Sequence, residues 1–206
     1  SLDDRLRLIL YDFSHRVPSM LLNILSRADV SAYVFVSKSC LADALVHAPK
    51  DLRTLLLSRS RVIYNGISVE KLRKIIYSKN YDPYCIVTIS RLMEYKGIHR
   101  LVEAMPLIVK EAPEAVLHIV GDGPLRRRIV ELVDKLSLKR NVFLHEWLSR
   151  IEALRILSKC SLLVHPSLYE SFGYVIAEAY ALGKPVVAHR APYSLELVEG
   201  LGAGVT

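Results

Sequence analysis

The chain has 206 residues and is 51% hydrophobic, enough for one large or two small domains with a sizeable core and too apolar for a disordered chain. Its formal net charge of +7 points to an anionic partner such as a nucleotide, a nucleic acid or an acidic membrane surface. No apolar run is long enough to span a bilayer, SLDDRLRLIL lacks the cleavage site of a secretory leader, and Cys40, Cys85 and Cys160, far apart and without metal-ligand spacing, read as buried free thiols in a reducing, cytoplasmic compartment.

Residues 1–28 read as helical. Ser1, Asp3 and Asp4 resemble a cap with acids in the first turn, and Leu2, Leu6, Ile9 and Leu10 fall near helical spacing before Pro18 starts or kinks a second apolar stretch. Such a basic amphipathic segment can pack on a sheet or lie on a membrane surface; packing is favoured because helical stripes usually mean core. Ala32–Val36 reads as a buried strand, Ser37-Lys38-Ser39 opens a helix to about His47, Arg61–Tyr64 is a second strand, and Val69–Tyr77 is helical. The polar stretch Ser78–Pro83 is the expected domain boundary.

Beyond it strands and helices alternate. Strands are expected at Tyr84–Ile89, Ala115–Val120, Val142–Leu144, Leu162–Val164 and Pro185–Ala188. Between them lie a stripe from Ile98 to Val109, which Pro106 should kink or break, a helix from Pro124 to about Leu136, and one at Ile151–Leu157. Alternation of this kind implies a parallel sheet with right-handed crossovers, and ligands in such sheets bind at the carboxyl ends of the strands. The patch Arg126, Arg127 and Arg128 reads as a solvated helix face.

Two loops carry the chemistry. After Leu162–Val164, His165-Pro166-Ser167 breaks the strand, Glu170 stands at the following turn, and Phe172-Gly173-Tyr174 leads into a helix bearing Glu178. Strand, glycine and helix N-terminus in that order make an anion site, because the first backbone N–H groups are unpaired and Gly173 allows close approach. The second loop, Ser90 to Gly97, holds Arg91 and Lys96, a fork donor and a mobile point charge suited to a pyrophosphate. Gly121-Asp122-Gly123-Pro124 reads either as part of this site or as a tight turn.

Residues 85–206 resemble the C-terminal domain of retaining glycosyltransferases with the GT-B fold, the family 4 or group 1 enzymes. The resemblance rests on Ser90-Arg91-Leu92 with Lys96-Gly97, Val120-Gly121-Asp122-Gly123-Pro124, Pro166-Ser167, the EX7E pair Glu170 and Glu178, and Ala181-x-Gly183-x-Pro185-Val186-Val187. Residues 30–70 fit the last strand–helix–strand of that family's N-terminal domain. The resemblance implies an α/β fold, a Rossmann-like parallel sheet flanked by helices, with residues 1–82 an acceptor-side remnant and 83–206 a donor domain short of its C-terminal helices.

It further implies transfer of a sugar from a UDP-, GDP- or ADP-sugar to a sugar, polysaccharide, lipid or protein acceptor, with retention and without a metal. Arg91 and Lys96 would hold the diphosphate and Glu170 the transferred sugar, these three being the catalytic set. Glu178 would take the ribose hydroxyls, with Gly121, Trp147, Ser167, Gly173, Tyr174 and Val175 completing the donor pocket. Two departures stand out: His145-Glu146-Trp147 where the family has a glycine beside the base, and Arg190-Ala191-Pro192-Tyr193 where it often has a glycine pair. Trp147 stacks on the base or anchors the loop apolarly. A donor-binding module needing a partner chain is the alternative. A dinucleotide oxidoreductase is disfavoured, since no strand precedes G-x-G-x-x-G, and no aromatic–basic pattern supports nucleic-acid binding. With only two strands, the first 82 residues are expected to seek cover by self-association or from a partner chain.

Overall fold

The computed structural model describes residues 8–11, 32–76, 80–200, 202 and 204–206. The chain divides into two units: residues 1–66 with 170–173, and residues 67–169 with 174–206.

The first unit holds a three-stranded parallel sheet, β1 (Leu8–Tyr11), β2 (Ala32–Phe35) and β3 (Ser60–Val62), in that spatial order. Leu8 pairs with Ala32, and Tyr33 with Ser60. Leu8–Tyr11 is therefore a strand where the stripe of apolar residues suggested helix; the rest of the helical reading of residues 1–28 lies outside the described residues. The segment has three strands rather than two, because a four-residue apolar run such as Leu-Ile-Leu-Tyr fits a strand as well as it fits a helix turn.

Helix α1 (Lys38–His47) starts at Ser37, whose Oγ accepts from Cys40 N at 3.0 Å, satisfying one orphan N–H. Helix α2 (Lys50–Arg59), which the hydrophobic pattern did not announce, follows at once. Cys40, Ala44, Leu52 and Leu56 pack with Tyr33 and Phe35 into the unit's core. Ser37 Oγ also donates to Ser171 O at 2.6 Å, fastening residues 170–173 to this unit.

The second unit begins before the polar stretch, not after it. Helix α3 (Val69–Ile76) packs there, with Arg73 Nε donating to Ala181 O at 2.9 Å. Strands β4 (Asp82–Ile89), β5 (Val116–Val120), β6 (Val142–His145), β7 (Cys160–His165), β8 (Val186–Ala188) and β9 (Gly204–Val205) form one parallel sheet in the order β6-β5-β4-β7-β8-β9. The order reverses between β4 and β7, the place where a doubly wound sheet opens a crevice at its carboxyl edge. The helices are α4 (Ile98–Glu111), α5 (Arg126–Lys135), α6 (Arg150–Lys159) and α7 (Tyr174–Ala181), followed by the helical turns Pro192–Ser194 and Leu195–Glu199.

Helix α4 runs unbroken through Pro106. Ile98, Leu101, Val102 and Met105 are buried against Leu117, Ile119 and Ile129, and burying each large side chain is worth roughly 1.5–3 kcal/mol. Together they outweigh the ~3 kcal/mol that an interior proline costs.

The cysteine reading is also corrected. Cys85 on β4 and Cys160 at the start of β7 are joined as a disulfide, their Cα atoms 4.5 Å apart across 75 residues of chain, while Cys40 is buried and outside any disulfide. Two neighbouring parallel strands bring the pair together; spacing along the chain cannot report it. The inference of three free thiols in a reducing compartment loses its basis.

The glycine turn after β5 has a steric cause. Gly121 has φ 143°, and a Cβ there would stand 1.9 Å from Ser90 O; at Gly123 it would meet Leu92 O at 2.7 Å. The two loops instead exchange backbone hydrogen bonds: Ser90 N to Val120 O at 3.1 Å, Leu92 N to Asp122 O at 2.8 Å and Leu125 N to Leu92 O at 3.0 Å. Gly121→Ala should therefore destabilise the protein by about 2–5 kcal/mol, strain and overpacking together. Gly66→Ala, with nothing within 4 Å of the new methyl group, should leave the melting temperature near the parent's. Thermal denaturation of both variants checks this, and equal melting would refute the steric account.

Candidate donor site

At the carboxyl edge of the second unit's sheet lies a cleft of ≈ 300 Å³, at the lower end of the range for small-molecule sites. Ile89, Ser90 and Arg91 from the end of β4, and Val120 and Gly121 from the end of β5, form its floor. The loop after β6 and the first turns of α6 supply one wall, from Trp147 to Leu154, and Glu178 on α7 the other.

Of the residues singled out from the sequence, Arg91, Gly121, Trp147 and Glu178 meet in this cleft. Arg91 is exposed, and Trp147 retains 70% of its surface. An indole so open at the rim is available for stacking rather than spent as an anchor in the core.

Lys96 lies outside the lining. It ends a 3-10 turn (Glu94–Lys96), its Nζ 5.1 Å from the Tyr95 ring centroid, and Gly97 in the left-handed region turns the chain into α4. Ser167 is fully buried; its Oγ donates to Tyr169 O at 2.7 Å and its carbonyl accepts from Tyr193 Oη at 2.7 Å, so here it shapes the loop after β7. Tyr174 and Val175 open α7, and Glu170 and Gly173 belong to the first unit's segment.

His145, where the family pattern has glycine, is engaged by His118. Nδ1 of His118 is 2.7 Å from Nε2 of His145, the rings stack with centroids 5.0 Å apart, and Arg126 Nη1 donates to His145 O at 3.1 Å. Burial pushes both imidazoles below their ordinary value, the neighbouring ring adding to the shift at His118, so the pair is held neutral with a single shared hydrogen bond.

Arg150 was not foreseen. Its guanidinium forms an ion pair with Glu178 Oε1, and the two side chains are 63% and 7% exposed. The local signal was present: Ser149 and Glu152 form a capping box, with Ser149 N donating to Glu152 Oε2 at 2.9 Å, which sets Arg150 on the first turn of α6. What the sequence lacked was the register that brings α6 beside α7. Burial pushes the Glu178 carboxyl above the usual glutamate range, and Arg150 opposes that shift through its charge and its hydrogen bond. Two guanidinium groups and one acceptor carboxylate thus border a largely apolar cleft. That set can grip an anionic group and accept hydroxyl hydrogen bonds beside it.

Residues 70–205 match the family described as glycosyl transferases group 1. The chain belongs to that family. A glycosyltransferase of Methanocaldococcus jannaschii is 29% identical over 188 residues, covering 85% of this chain and 46% of its own length. The phosphatidylinositol N-acetylglucosaminyltransferase gpi3 subunit of Schizosaccharomyces pombe is 29% identical over 161 residues, 78% of this chain and 34% of that one. The chain therefore spans about a third to a half of the length of these relatives. Among solved structures, Anabaena Alr3699/HepE in complex with UDP and glucose is similar with a TM-score of 0.72 and 25% identity, over 91% of this chain and 52% of that one. The family and these neighbours agree with the fold expected from the strand–helix alternation, a Rossmann-like α/β sheet of the GT-B type.

A carboxyl group whose pKa is raised on folding favours the folded state when protonated, so its contribution falls as pH rises above the usual glutamate value. Glu178→Gln should accordingly melt above the parent at about pH 8, with the difference closing towards about pH 4. Arg150, largely hydrated, tolerates loss of its counter-charge. Calorimetry across that range checks the sign; a parent more stable than the variant at high pH would contradict it.

Proposed function

We propose that this chain supplies the donor side of a nucleotide-sugar-dependent glycosyltransferase, which moves a sugar from a nucleoside diphosphate sugar to an acceptor with retention at the anomeric carbon. The observation that carries the reading is the convergence of Arg91, Gly121, Trp147 and Glu178 on one cleft at the carboxyl edge of the sheet. Its support from relatives is that those named are glycosyltransferases and that the Anabaena neighbour holds UDP and glucose.

In this reading the base lies at Trp147, the ribose hydroxyls donate to Glu178, and the diphosphate faces Arg91 across the close-packed Gly121 turn. The bond from the anomeric carbon to the diphosphate oxygen breaks with its electrons passing to the phosphate, the acceptor hydroxyl oxygen bonds to the same face of that carbon, and the hydroxyl proton passes to the departing phosphate. Positive charge already in place at Arg91 stabilises that developing negative charge more than it stabilises the ground state, and Lys96 joins it when its side chain leaves the Tyr95 ring. Protein cations carry this role without a metal, and Glu170 contacts the transferred sugar. The acceptor is a hydroxyl-bearing sugar, polysaccharide, lipid or protein.

A thermal-shift panel of UDP, GDP and ADP, followed by titration calorimetry with the best binder, tests the site. Arg91→Ala should weaken the diphosphate by about 10- to 100-fold, the worth of a charge-assisted hydrogen bond, and leave the nucleoside unchanged. Glu178→Gln should weaken the ribonucleotide far more than its 2′,3′-dideoxy analogue, because the amide keeps only one acceptor oxygen. Parent-like diphosphate binding by Arg91→Ala, or equal losses for both sugars with Glu178→Gln, would remove these assignments. Binding in EDTA should match binding in magnesium.

A further inference from the structure

Among the described residues, Glu178 is the acidic side chain lining the cleft, and it is almost wholly out of water. A carboxyl group in that setting tends to keep its proton. A protonated carboxyl offers a donor where two ribose hydroxyls need acceptors, so the proposed ribose contact works only if something holds the group ionised. Arg150 reaches Oε1 from α6, and its own side chain stays largely exposed. Its backbone is set by the reciprocal cap, Glu152 N to Ser149 Oγ at 3.3 Å and Ser149 N to Glu152 Oε2 at 2.9 Å.

Other charged or titratable groups near α7 are committed elsewhere. Arg73 of α3 donates to Ala181 O, Lys184 lies over the Tyr81 ring at 4.4 Å, His165 of β7 meets Tyr193 edge-on, and Glu199 pairs with Arg190. Arg91 borders the same cleft from β4. Among the described residues, Arg150 is the cation paired with Glu178.

Building on the donor reading, we propose that Arg150 is a positioning residue for nucleotide binding: it occupies Glu178 Oε1, holds the carboxylate ionised, and leaves the remaining lone pairs to accept both ribose hydroxyls. An ionised carboxylate has about four acceptor sites, so one guanidinium contact leaves room for two hydroxyls. The charge on the acceptor also makes each of those hydrogen bonds stronger. In this role Arg150 acts through Glu178 rather than by gripping the phosphate or the sugar.

The readout is the ratio of dissociation constants for the 2′,3′-dideoxy and ribo forms of whichever of UDP, GDP or ADP binds the parent best. Titration of the phosphate groups affects both forms alike and cancels in that ratio. Without Arg150 the Glu178 carboxyl keeps its proton to higher pH, so affinity for the ribo form is lost as pH falls through the raised value. In Arg150→Met the preference for the ribo form should drop roughly tenfold below the parent's at about pH 6, the worth of one charge-assisted hydrogen bond, and recover towards the parent's as pH rises to about 8. Arg150→Lys, which keeps the charge, should follow the parent. Should Arg150→Met fold poorly, Arg150→Gln carries the same test, since it is uncharged but still donates a hydrogen bond. An unchanged preference at every pH, or a loss independent of pH, overturns the proposal. Equal weakening of both forms overturns it as well and places Arg150 on the diphosphate. Failure of the parent to bind any of the three diphosphates defeats the donor reading itself, an outcome distinct from all of these.

Discussion

Every candidate group in the second unit owes its position to one constraint: six strands run the same way, so all their carboxyl ends share one edge. The order turns back between β4 and β7, and the loops leaving those strands diverge there instead of covering each other. The floor of the resulting cleft is built from backbone. Gly121 and Gly123 let the turn after β5 lie against Ser90–Leu92 at a distance no side chain would permit. That contact fixes where Arg91 leaves the chain, and so where an anion would sit.

Glu178 shows what such a site costs the fold. Its carboxyl is buried and pushed towards protonation, although Arg150 works against this. In the proposed donor reading, such a buried carboxyl is a poor stabiliser of the fold but a well-oriented partner for a diol. Stability given up at a binding residue is common where a site must be pre-organised before its ligand arrives. The neighbouring His118–His145 pair behaves differently. Held neutral and bonded ring to ring, it closes the β5–β6 edge next to the cleft, where the family pattern has a glycine, and adds no charge.

Much of the fold was legible because its signals are local. The caps of α1 and α6 are written within four residues, as Ser37 with Cys40 and Ser149 with Glu152. The strands β4 to β8 stand out as apolar runs between polar loops, and the alternation with helices implies their parallel pairing. Local signals also misled. Leu8–Tyr11 has the composition of either state and became a strand through pairing with β2. Pro106 looked like a break, yet the buried stripe of α4 is worth more than the lost hydrogen bond. Lys96, suited by sequence to the cleft, is directed by its 3-10 turn to the Tyr95 ring.

By itself the sequence determined the class of the fold, the family, and the identity of four residues that meet at the cleft, since each depends on residue type and short spacing. The tertiary structure alone decided which distant residues touch. Cys85 bonds Cys160 because β4 and β7 are neighbours, and Arg150 pairs with Glu178 because α6 lies beside α7. Such pairs depend on strand order and helix packing, which arise from burial summed over the whole sheet and leave no mark in the spacing of the two residues concerned.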